Sequence, residues 1–355
     1  MYTYGRKTGC RISLDYTYKD MRIAYLENAL LRVGVLLDKG ADIFEFTYKP
    51  RDLDFMWQSP TPMQKPFIAT SALPSGAFHD YYYGGWQEVL PSAGFSPEPY
   101  RDVYQGLHGE VSLLPFEAQI AEDTPDCVSL RARVRLYRTP LALERTMTLR
   151  RDTAALFIHE RLENESPGPF AIMWGHHPAF GEPFLDESCV AHIPASQVDV
   201  LDFHPNGQWQ PGQDYTFPLV RNRRNGALED VTRVLPRANH SVDLIYFKGL
   251  AEGWYGLTNR RQGVGFGMAW DASLFRSVWM WQLYGGHDDY PWFGRAYTCA
   301  LEPFTSHPGL GVKRAVEDGT AVILGPKEVR ETDLVAVAYE GEGVTRIAPD
   351  GTIEH

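Results

Sequence analysis

Several features are scarce in this sequence of 355 residues, and each scarcity excludes a class of protein. No basic run offsets the formal net charge of −11, which argues against a nucleic-acid partner. No apolar run approaches the length of a membrane span, and the first residues lack the apolar core of a signal peptide. We therefore expect a soluble, cytoplasmic protein without a membrane or nucleic-acid partner.

Cysteine is also rare, because the chain has only four cysteines and they lie far apart in the sequence. They form neither a CxxC pair nor the spacing of zinc ligands, so free thiols in a reducing compartment are the simplest interpretation. The four residues are Cys10, Cys127, Cys189 and Cys299. We predict no metal and no disulfide framework.

A helical period of 3.6 residues is missing from every long stretch, whereas alternation of apolar and polar residues recurs along the chain. In Leu130–Leu136 the arginines share one face and the apolar residues share the other, which is typical of an antiparallel strand with one solvated face. The sequence therefore predicts an all-β protein built as a sandwich of large antiparallel sheets. We expect one domain over residues 1–355, with residues 1–22 as an N-terminal extension.

Fifteen segments have strand character, separated by turn residues. They are Leu30–Leu37, Gly40–Tyr48, Asp52–Trp57, Gly109–Ile120, Ser129–Tyr137, Leu143–Leu149, Leu156–Glu163, Phe170–Trp174, Ser241–Phe247, Trp254–Asn259, Gly263–Ala269, Ser277–Gln282, Ala296–Leu301, Thr320–Leu324 and Arg330–Tyr339. Between Ser59 and Tyr104 lies a long irregular section that contains Tyr81–Glu88. A loop of this length within a compact domain is usually functional.

The most informative stretch is Met173–Gly181, in which a strand runs into His176 and His177 and stops at Pro178. Neighbouring side chains of a strand point to opposite faces, so the two histidines cannot face the same side. Because Pro178 favours an extended conformation of the residue before it, we expect His177 to face a pocket. Histidine titrates near neutral pH, so this strand end suits proton transfer, although a structural histidine is the alternative interpretation.

Two other segments place a proton-handling residue at a strand edge beside glycine or proline. One is Gly106–Glu110, which contains His108, and the other is Ala300–Pro303, which contains Glu302. Two histidines and one carboxylate are sufficient for acid and base catalysis at one bound ligand.

In this order, the three segments resemble elements of the galactose mutarotase (aldose 1-epimerase) superfamily. The Leu-His-Gly element of that superfamily is similar to Leu107–Gly109, its His-x-x-Phe element to His177–Phe180, and its Leu-Glu-Pro element to Leu301–Pro303. The resemblance extends over roughly residues 25–340 of this sequence. It implies a supersandwich of antiparallel sheets with an open sugar cleft.

The resemblance also implies roles for three catalytic residues. Glu302 would take the proton from the anomeric hydroxyl as general base. His177 would deliver a proton to the ring oxygen as general acid, and His108 would hold the ring oxygen or a neighbouring hydroxyl. The implied reaction interconverts the α and β anomers of a free sugar or sugar acid and requires no metal or organic cofactor.

The sequence departs from the hexose mutarotases at two places, which indicates a different branch of the superfamily. The arginine-and-asparagine motif that precedes the first histidine in those enzymes is replaced by Gly84–Glu88, and Glu110 stands where a glycine is common. Seven residues are predicted to bind the substrate by stacking or hydrogen bonding. They are Trp86, Gln87, Glu88, His176, Trp281, Gln282 and Arg295.

Several questions stay open from the sequence. A carboxylate, phosphate or sulfonate on the sugar would be bound by one of Arg260, Arg261, Arg276 and Arg295. The run His287-Asp288-Asp289 is interpreted as a loop at the rim of the cleft, with a divalent-ion site as the alternative. Two alternative functions remain, a sugar isomerase or lyase on the same fold and a non-catalytic carbohydrate-binding protein. The chain is expected to be a monomer or a homodimer.

Overall fold

The computed structural model describes residues 6–66 and 77–355. It confirms the all-β prediction, since 49% of the residues lie in strands and 6% in helices. The first half contains β1 (Arg11–Tyr18), β2 (Met21–Glu27), β3 (Leu31–Leu36), β4 (Asp42–Tyr48), β5 (Leu53–Asp54), α1 (Phe78–Tyr81), β6 (Trp86–Val89), β7 (Glu117–Asp123), β8 (Cys127–Arg135), β9 (Leu141–Arg150), β10 (Ala155–Asn164), β11 (Phe170–Ile172) and β12 (Gly175–Phe180).

The second half contains β13 (Cys189–His192), β14 (Gln197–Val200), β15 (Gly212–Thr216), β16 (Leu219–Arg221), β17 (Leu228–Asp230), β18 (Ser241–Lys248), β19 (Trp254–Asn259), β20 (Val264–Trp270), β21 (Ser277–Tyr284), β22 (Tyr297–Phe304), α2 (Gly311–Glu317), β23 (Val322–Leu324), β24 (Val329–Glu340), β25 (Arg346–Ile347) and β26 (Ile353–Glu354). Single 3₁₀ turns lie at Lys49–Arg51, Val111–Leu113 and Arg237–Asn239. Among the residues described, no helix is both long enough and apolar enough to cross a membrane.

Two large antiparallel sheets make up most of the molecule. The first has twelve strands in the order β1-β2-β3-β4-β6-β12-β22-β21-β18-β14-β15, with β5 added beside β4. The second has eight strands in the order β13-β19-β20-β24-β10-β9-β8-β7. Three two-stranded pairs, β11 with β23, β16 with β17 and β25 with β26, complete the described strands.

The main core lies between the two large sheets. Alternation along β9 places Leu141, Leu143, Met147 and Leu149 in this core, while every second residue from Ala142 to Thr148 is partly exposed. We call the face of the twelve-stranded sheet that meets the eight-stranded sheet its interior face, and the opposite face its outer face.

The structure differs from the strands predicted from the sequence in several places, and no predicted segment covers the short strands β13 to β17. Within the predicted N-terminal extension, Arg11–Tyr18 forms the edge strand β1 and pairs with β2, while residues 1–5 lie outside the described part. The predicted strand Gly109–Ile120 is a 3₁₀ turn followed by β7, because Gly109 adopts a positive φ of 74°. The irregular section from Ser59 to Tyr104 contains α1 and β6, and its residues 67–76 lie outside the described part.

Strand β12 does not stop at its proline as expected, but continues through Pro178 to Phe180. Proline cannot donate a hydrogen bond to a neighbouring strand, so a central strand tolerates it only where no donor is needed. Pro178 lies opposite Trp86 of β6 in the ladder. The extended backbone that Pro178 favours therefore lies inside strand β12 and not at the end of that strand.

Candidate functional site

The two adjacent histidines lie on β12, between β6 and β22 in the middle of the twelve-stranded sheet. His176 pairs with Glu88 and His177 pairs with Gln87 along the ladder with β6. Directly paired residues share a face of a sheet, and His176 contacts the eight-stranded sheet through Glu160. His176 and Glu88 therefore occupy the interior face, and His177 and Gln87 occupy the outer face.

The ladder between β12 and β22 brings Glu302 to His177. Gly175 pairs with Phe304 and Ala179 pairs with Ala300, so the register places Glu302 directly across from His177. The Nε2 atom of His177 lies 3.5 Å from Oε1 of Glu302. Two residues that are 125 positions apart in sequence thus form one acid–histidine pair on the outer face.

The second histidine of the predicted trio reaches this pair from a turn. His108 has a positive φ of 61°, and its Nδ1 atom accepts a hydrogen bond of 3.3 Å from the backbone N–H of Gly94. Its ring centroid lies 5.2 Å from that of His177, with the two planes at 71°. The structure therefore brings the three residues predicted to be catalytic into one cluster, which we call the outer-face trio.

Burial decides the charge state of the trio. The exposed fractions are 8% for His108, 4% for His177 and 1% for Glu302. Burial raises the pKa of Glu302 well above its usual range and lowers the pKa of His177 to about 4. Burial and the neighbouring His177 lower the pKa of His108 well below its usual range. At neutral pH both imidazoles are therefore uncharged, and the proton of the acid–histidine pair lies on Glu302.

A tyrosine completes the surroundings of His177. The hydroxyl of Tyr82 lies 3.3 Å from Nδ1 of His177. Burial raises the pKa of Tyr82 well above its usual range, so the hydroxyl stays protonated. A hydroxyl can accept from the Nδ1–H of the imidazole in both its neutral and its charged form, and in the neutral form Nε2 is then free to accept the proton of Glu302. Tyr82 therefore holds the ring so that Nε2 faces Glu302 in either charge state.

Aromatic rings cover the trio on the side away from the sheet. Phe78 stacks on Tyr82 with centroids 4.9 Å apart, and its ring lies 4.7 Å from that of His108. Trp281 lies 5.8 Å from the His177 ring and packs against Trp292 at 6.0 Å. A sugar can reach the buried trio only when part of this aromatic cover moves.

Four of the seven residues predicted to bind the substrate lie instead on the interior face, where no sugar can reach them. They are Trp86, Glu88, His176 and Gln282. Each is one strand position away from an outer-face residue, and the alternation of side chains therefore turns it inward. Nε1 of Trp86 donates to Nδ1 of His176 at 3.3 Å, and Oε1 of Gln282 accepts from Nε1 of Trp209 at 3.0 Å.

The other three predicted binding residues lie elsewhere. Gln87 and Trp281 are on the outer face beside His177. Arg295 is an exposed residue of the loop between β21 and β22, where its Nε atom donates to the backbone carbonyl of Trp292 at 3.3 Å. The same loop contains His287-Asp288-Asp289, whose two aspartates are exposed.

His176 belongs to a cluster of charged side chains between the sheets, which we call the interior network. Nε of Arg145 lies 2.8 Å from Oε1 of Glu160 and 3.0 Å from Oε2 of Glu88. Nε2 of His176 lies 3.2 Å from Oε2 of Glu160, and Nε1 of Trp174 donates to Oε1 of Glu88 at 2.6 Å. The network joins β6 and β12 of one sheet to β9 and β10 of the other.

The charges within the interior network are balanced. Burial and the nearby Glu160 raise the pKa of Glu88 well above its usual range. Burial opposes ionisation of Glu160, but His176 and Arg145 together lower its pKa. One carboxyl group is thus protonated and the other is ionised, and the guanidinium of Arg145 compensates the single negative charge.

The interior network is also a group whose atoms have the spacing of metal ligands. Among the residues described, Glu88, Glu160 and His176 form such a group, with their ligand atoms within 4.8 Å of one another. The Nε atom of Arg145 already contacts both carboxyl groups. A cation therefore compensates these ligands, and the residues present do not fit a metal site.

Sequence reasoning missed Tyr82, although one signal for it was present. The residue lies within Tyr81-Tyr82-Tyr83, inside the long irregular section that the sequence already marks as functional. What the sequence could not supply was the fold of this section back over the sheet, which brings the Tyr82 hydroxyl to His177.

Comparisons with known proteins agree with the fold. The structure is similar to a candidate aldose 1-epimerase from Klebsiella pneumoniae, with a TM-score of 0.70 and 15% identity over 94% of this chain and 84% of that chain. It is similar to a galactose mutarotase-like protein from Clostridium acetobutylicum, with a TM-score of 0.60 and 10% identity over 94% and 99% of the two chains. It is also similar to a galactose mutarotase related enzyme from Lactobacillus acidophilus, with a TM-score of 0.59 and 15% identity over 90% of this chain and 98% of that chain.

Identities this low show a shared fold, which confirms the resemblance to the galactose mutarotase-like superfamily. A comparison with curated proteins finds no match. The sequence matches the family described as "Domain of unknown function (DUF4432)" over residues 19–337. Because this match spans most of the sequence, the chain belongs to the DUF4432 family, and its fold is galactose mutarotase-like.

Proposed function

We propose that this protein is an aldose 1-epimerase, an enzyme that interconverts the α and β anomers of a free sugar. The observation that carries the proposal is the 3.5 Å distance between Nε2 of His177 and Oε1 of Glu302, with His108 beside them on the same face. Acid and base groups this close can both reach the hemiacetal carbon region of one bound sugar. The fold of the structural neighbours supports the same reaction class.

The reaction balances with one shared proton. Ring opening removes a proton from the anomeric hydroxyl and adds one to the ring oxygen, which breaks the bond between the anomeric carbon and that oxygen. Rotation about the neighbouring carbon–carbon bond and reversal of the two transfers give the other anomer. The acid–histidine pair therefore has to hold one proton before and after each turnover, and no oxidant or further reactant is required.

Glu302 acts as the base at the anomeric hydroxyl, and His177 acts as the acid at the ring oxygen. In the sugar-free site burial favours the proton on Glu302. Sugar hydroxyls that donate to the Glu302 carboxylate stabilise its ionised form, so binding moves the proton to His177 across the 3.5 Å between them. Tyr82 then accepts a hydrogen bond from the Nδ1–H of the charged imidazole, and His108 supports the ring oxygen.

The test is an NMR saturation-transfer measurement of anomer exchange with a panel of free aldoses and uronic acids. We expect faster exchange of at least one sugar with the unaltered protein, and a loss of about 10²–10⁴-fold in Glu302→Gln and His177→Asn. His159→Asn, on the exposed side of β10, is the matched control and should keep full activity. If no sugar exchanges faster although one binds, the protein is a lyase or a carbohydrate-binding protein and the proposal is wrong.

A further inference from the structure

The outer-face neighbour of His177 is a glutamine whose orientation is fixed. Nε2 of Gln87 donates to the backbone carbonyl of Gly84 at 2.6 Å and to Oδ2 of Asp42 at 3.2 Å. Both partners can only accept, so the amide nitrogen must face them and the amide oxygen must face the other way. Gln87 is fully buried, and its Oε1 atom has no hydrogen-bond partner.

A buried ion pair holds the amide in this orientation. Nζ of Lys39 lies 2.5 Å from Oδ2 of Asp42 and donates to the backbone carbonyl of Ser112 at 3.2 Å. The side chains of Lys39 and Asp42 are 1% and 0% exposed. A buried lysine whose charge is already compensated attracts no second anion, so the pair serves to hold Gln87 in place.

The outer face thus offers buried oxygen atoms without partners beside His177, among them Oε1 of Gln87 and Oε2 of Glu302. A buried acceptor without a donor raises the free energy of the empty site. A ligand that donates a hydrogen bond to this acceptor removes that cost and therefore binds more tightly. Sugar hydroxyl groups supply such donors. A carboxylate or a phosphate supplies acceptors only, and at Gln87 it would meet an amide oxygen that is itself an acceptor.

Two of the four arginines considered for an anionic substrate are engaged elsewhere. Arg276 donates to the backbone carbonyls of Thr305 and Thr320 at 3.0 and 2.8 Å, and Arg261 pairs with Glu187 at 2.7 Å. Within residues 6–66 and 77–355, no hydrogen bond or ion pair joins a lysine or an arginine to the outer-face trio. The remaining sequence, residues 1–5 and 67–76, contains neither residue type.

We propose that Gln87 is a specificity-determining residue that accepts a hydrogen bond from a sugar hydroxyl, and that the site selects neutral sugars over uronic acids and sugar phosphates. This inference rests on the proposed function and adds to it the chemical class of the substrate. Gln87, held by Asp42 and Lys39, accepts a hydrogen bond from one hydroxyl next to the reacting end of the sugar. Glu302 reads the anomeric hydroxyl itself.

The first test uses the unaltered protein and sets of sugars that differ in one group: a neutral aldohexose, its uronic acid and its 6-phosphate. We expect kcat/KM for anomer exchange to be at least about tenfold higher for the neutral member of a set. Equal or faster exchange of the uronic acid or the phosphate would overturn the inference and leave the proposed function intact. Acceleration of no sugar, charged or neutral, would overturn the proposed function itself.

The second test combines Gln87→Met with a series of monodeoxy forms of the best neutral sugar. Methionine keeps the length of the side chain and removes its acceptor. With the unaltered protein, we expect one deoxy sugar to have a kcat/KM about tenfold lower than that of the parent sugar. With Gln87→Met, the same deoxy sugar and the parent sugar should have equal kcat/KM, because both changes remove the same hydrogen bond. Equal losses for every deoxy sugar in both proteins would contradict the role of Gln87.

Gln119→Met, on the exposed edge strand β7, is the matched control and should retain the deoxy-sugar pattern of the unaltered protein. The measurements on the unaltered protein decide the selectivity for neutral sugars even if Gln87→Met does not fold.

Discussion

Strand β12 carries two adjacent histidines, and each of them lies in a buried cluster with a glutamate, yet the two clusters differ in one component. On the interior face, His176 and Glu160 are joined by Arg145, whose guanidinium compensates the charge. On the outer face, His177 and Glu302 have the uncharged Tyr82 and His108 beside them and, among the described residues, no lysine or arginine bonded to them. Both sites are buried, so the presence of a cation is the main chemical difference between them.

This difference separates a structural site from a reactive one. A buried carboxylate next to a guanidinium is stable in its ionised form and does not readily take up a proton. A buried carboxyl group without a neighbouring cation is protonated in the empty site. Hydrogen bonds donated by a ligand stabilise its ionised form, so ligand binding can change its charge. The interior network is therefore suited to hold β6 and β12 in register, and the outer-face trio is suited to proton transfer.

Replacing Glu302 by glutamine is the change with the largest expected effect on activity. We expect a loss of about 10²–10⁴-fold in kcat/KM, because the base is removed. The free energy of unfolding should stay unchanged or increase, because burial already keeps the Glu302 carboxyl group uncharged and the amide has the same shape. Anomer exchange and urea denaturation measure the two quantities.

Glu331→Gln, on the exposed side of β24, is the control for this comparison and should change neither quantity. If Glu302→Gln instead unfolded the protein, the outer-face carboxyl group would be structural, and the contrast between the two clusters would be lost.

The opposite outcome is expected for Arg145→Met on the interior face. Removal of the guanidinium leaves the ionised carboxylate of Glu160 without this counter-ion, and loss of one partner of a buried ion pair costs about 3–5 kcal/mol. Urea denaturation should show this loss of stability, while molecules that remain folded keep most of their kcat. Arg131→Met on the solvated face of β8 is the control and should leave the unfolding midpoint unchanged.

The sequence predicted the class of fold and the members of the outer-face trio, because short motifs and strand alternation are local properties. It also contained an unused signal for the interior network. In β9 the buried positions are Leu141, Leu143, Arg145, Met147 and Leu149, so Arg145 occupies a position that the pattern assigns to an apolar residue. A charged residue at such a position requires a buried partner of opposite charge.

The faces of β6 and β21 could not be predicted from the sequence. Trp86, Gln87 and Glu88 are all fully buried, so no polar alternation marks which of them faces the cleft. Gln282 was assigned to the cleft for the same reason, because β21 is apolar on both sides. Only the ladder pairs, such as His177 with Gln87, reveal the faces, and these depend on strands that are far apart in the sequence.

The pH dependence of kcat/KM gives a smaller effect that tests the charge state of the outer-face trio. Activity requires one proton on the acid–histidine pair. Because burial lowers the pKa of His177 to about 4, the second proton is taken up only below about pH 4, and the raised pKa of Glu302 moves the loss of the last proton upward. We expect a plateau of kcat/KM from neutral pH down to about pH 4, and a tenfold fall for each pH unit below it.

Circular dichroism at each pH is the control for this profile, because it shows whether the protein is still folded. A decline that begins near pH 6.5, the pKa of an unperturbed histidine, would mean that His177 is solvated in the free protein. The aromatic cover over the trio would then be open without a sugar.

Tyr82→Phe is expected to have the smallest effect and isolates the hydroxyl that holds His177. The aromatic ring stays stacked on Phe78, and only the hydrogen bond to Nδ1 is lost. A net hydrogen bond contributes about 0.5–1.5 kcal/mol, which corresponds to a decrease in kcat of about two- to tenfold. KM should change little, because Tyr82 acts on His177 and not on the sugar. Tyr137→Phe, which is 66% exposed, is the matched control. A change in KM with constant kcat would instead make Tyr82 a sugar-binding residue, and it would leave His177 without the hydroxyl that distinguishes its surroundings from those of His176.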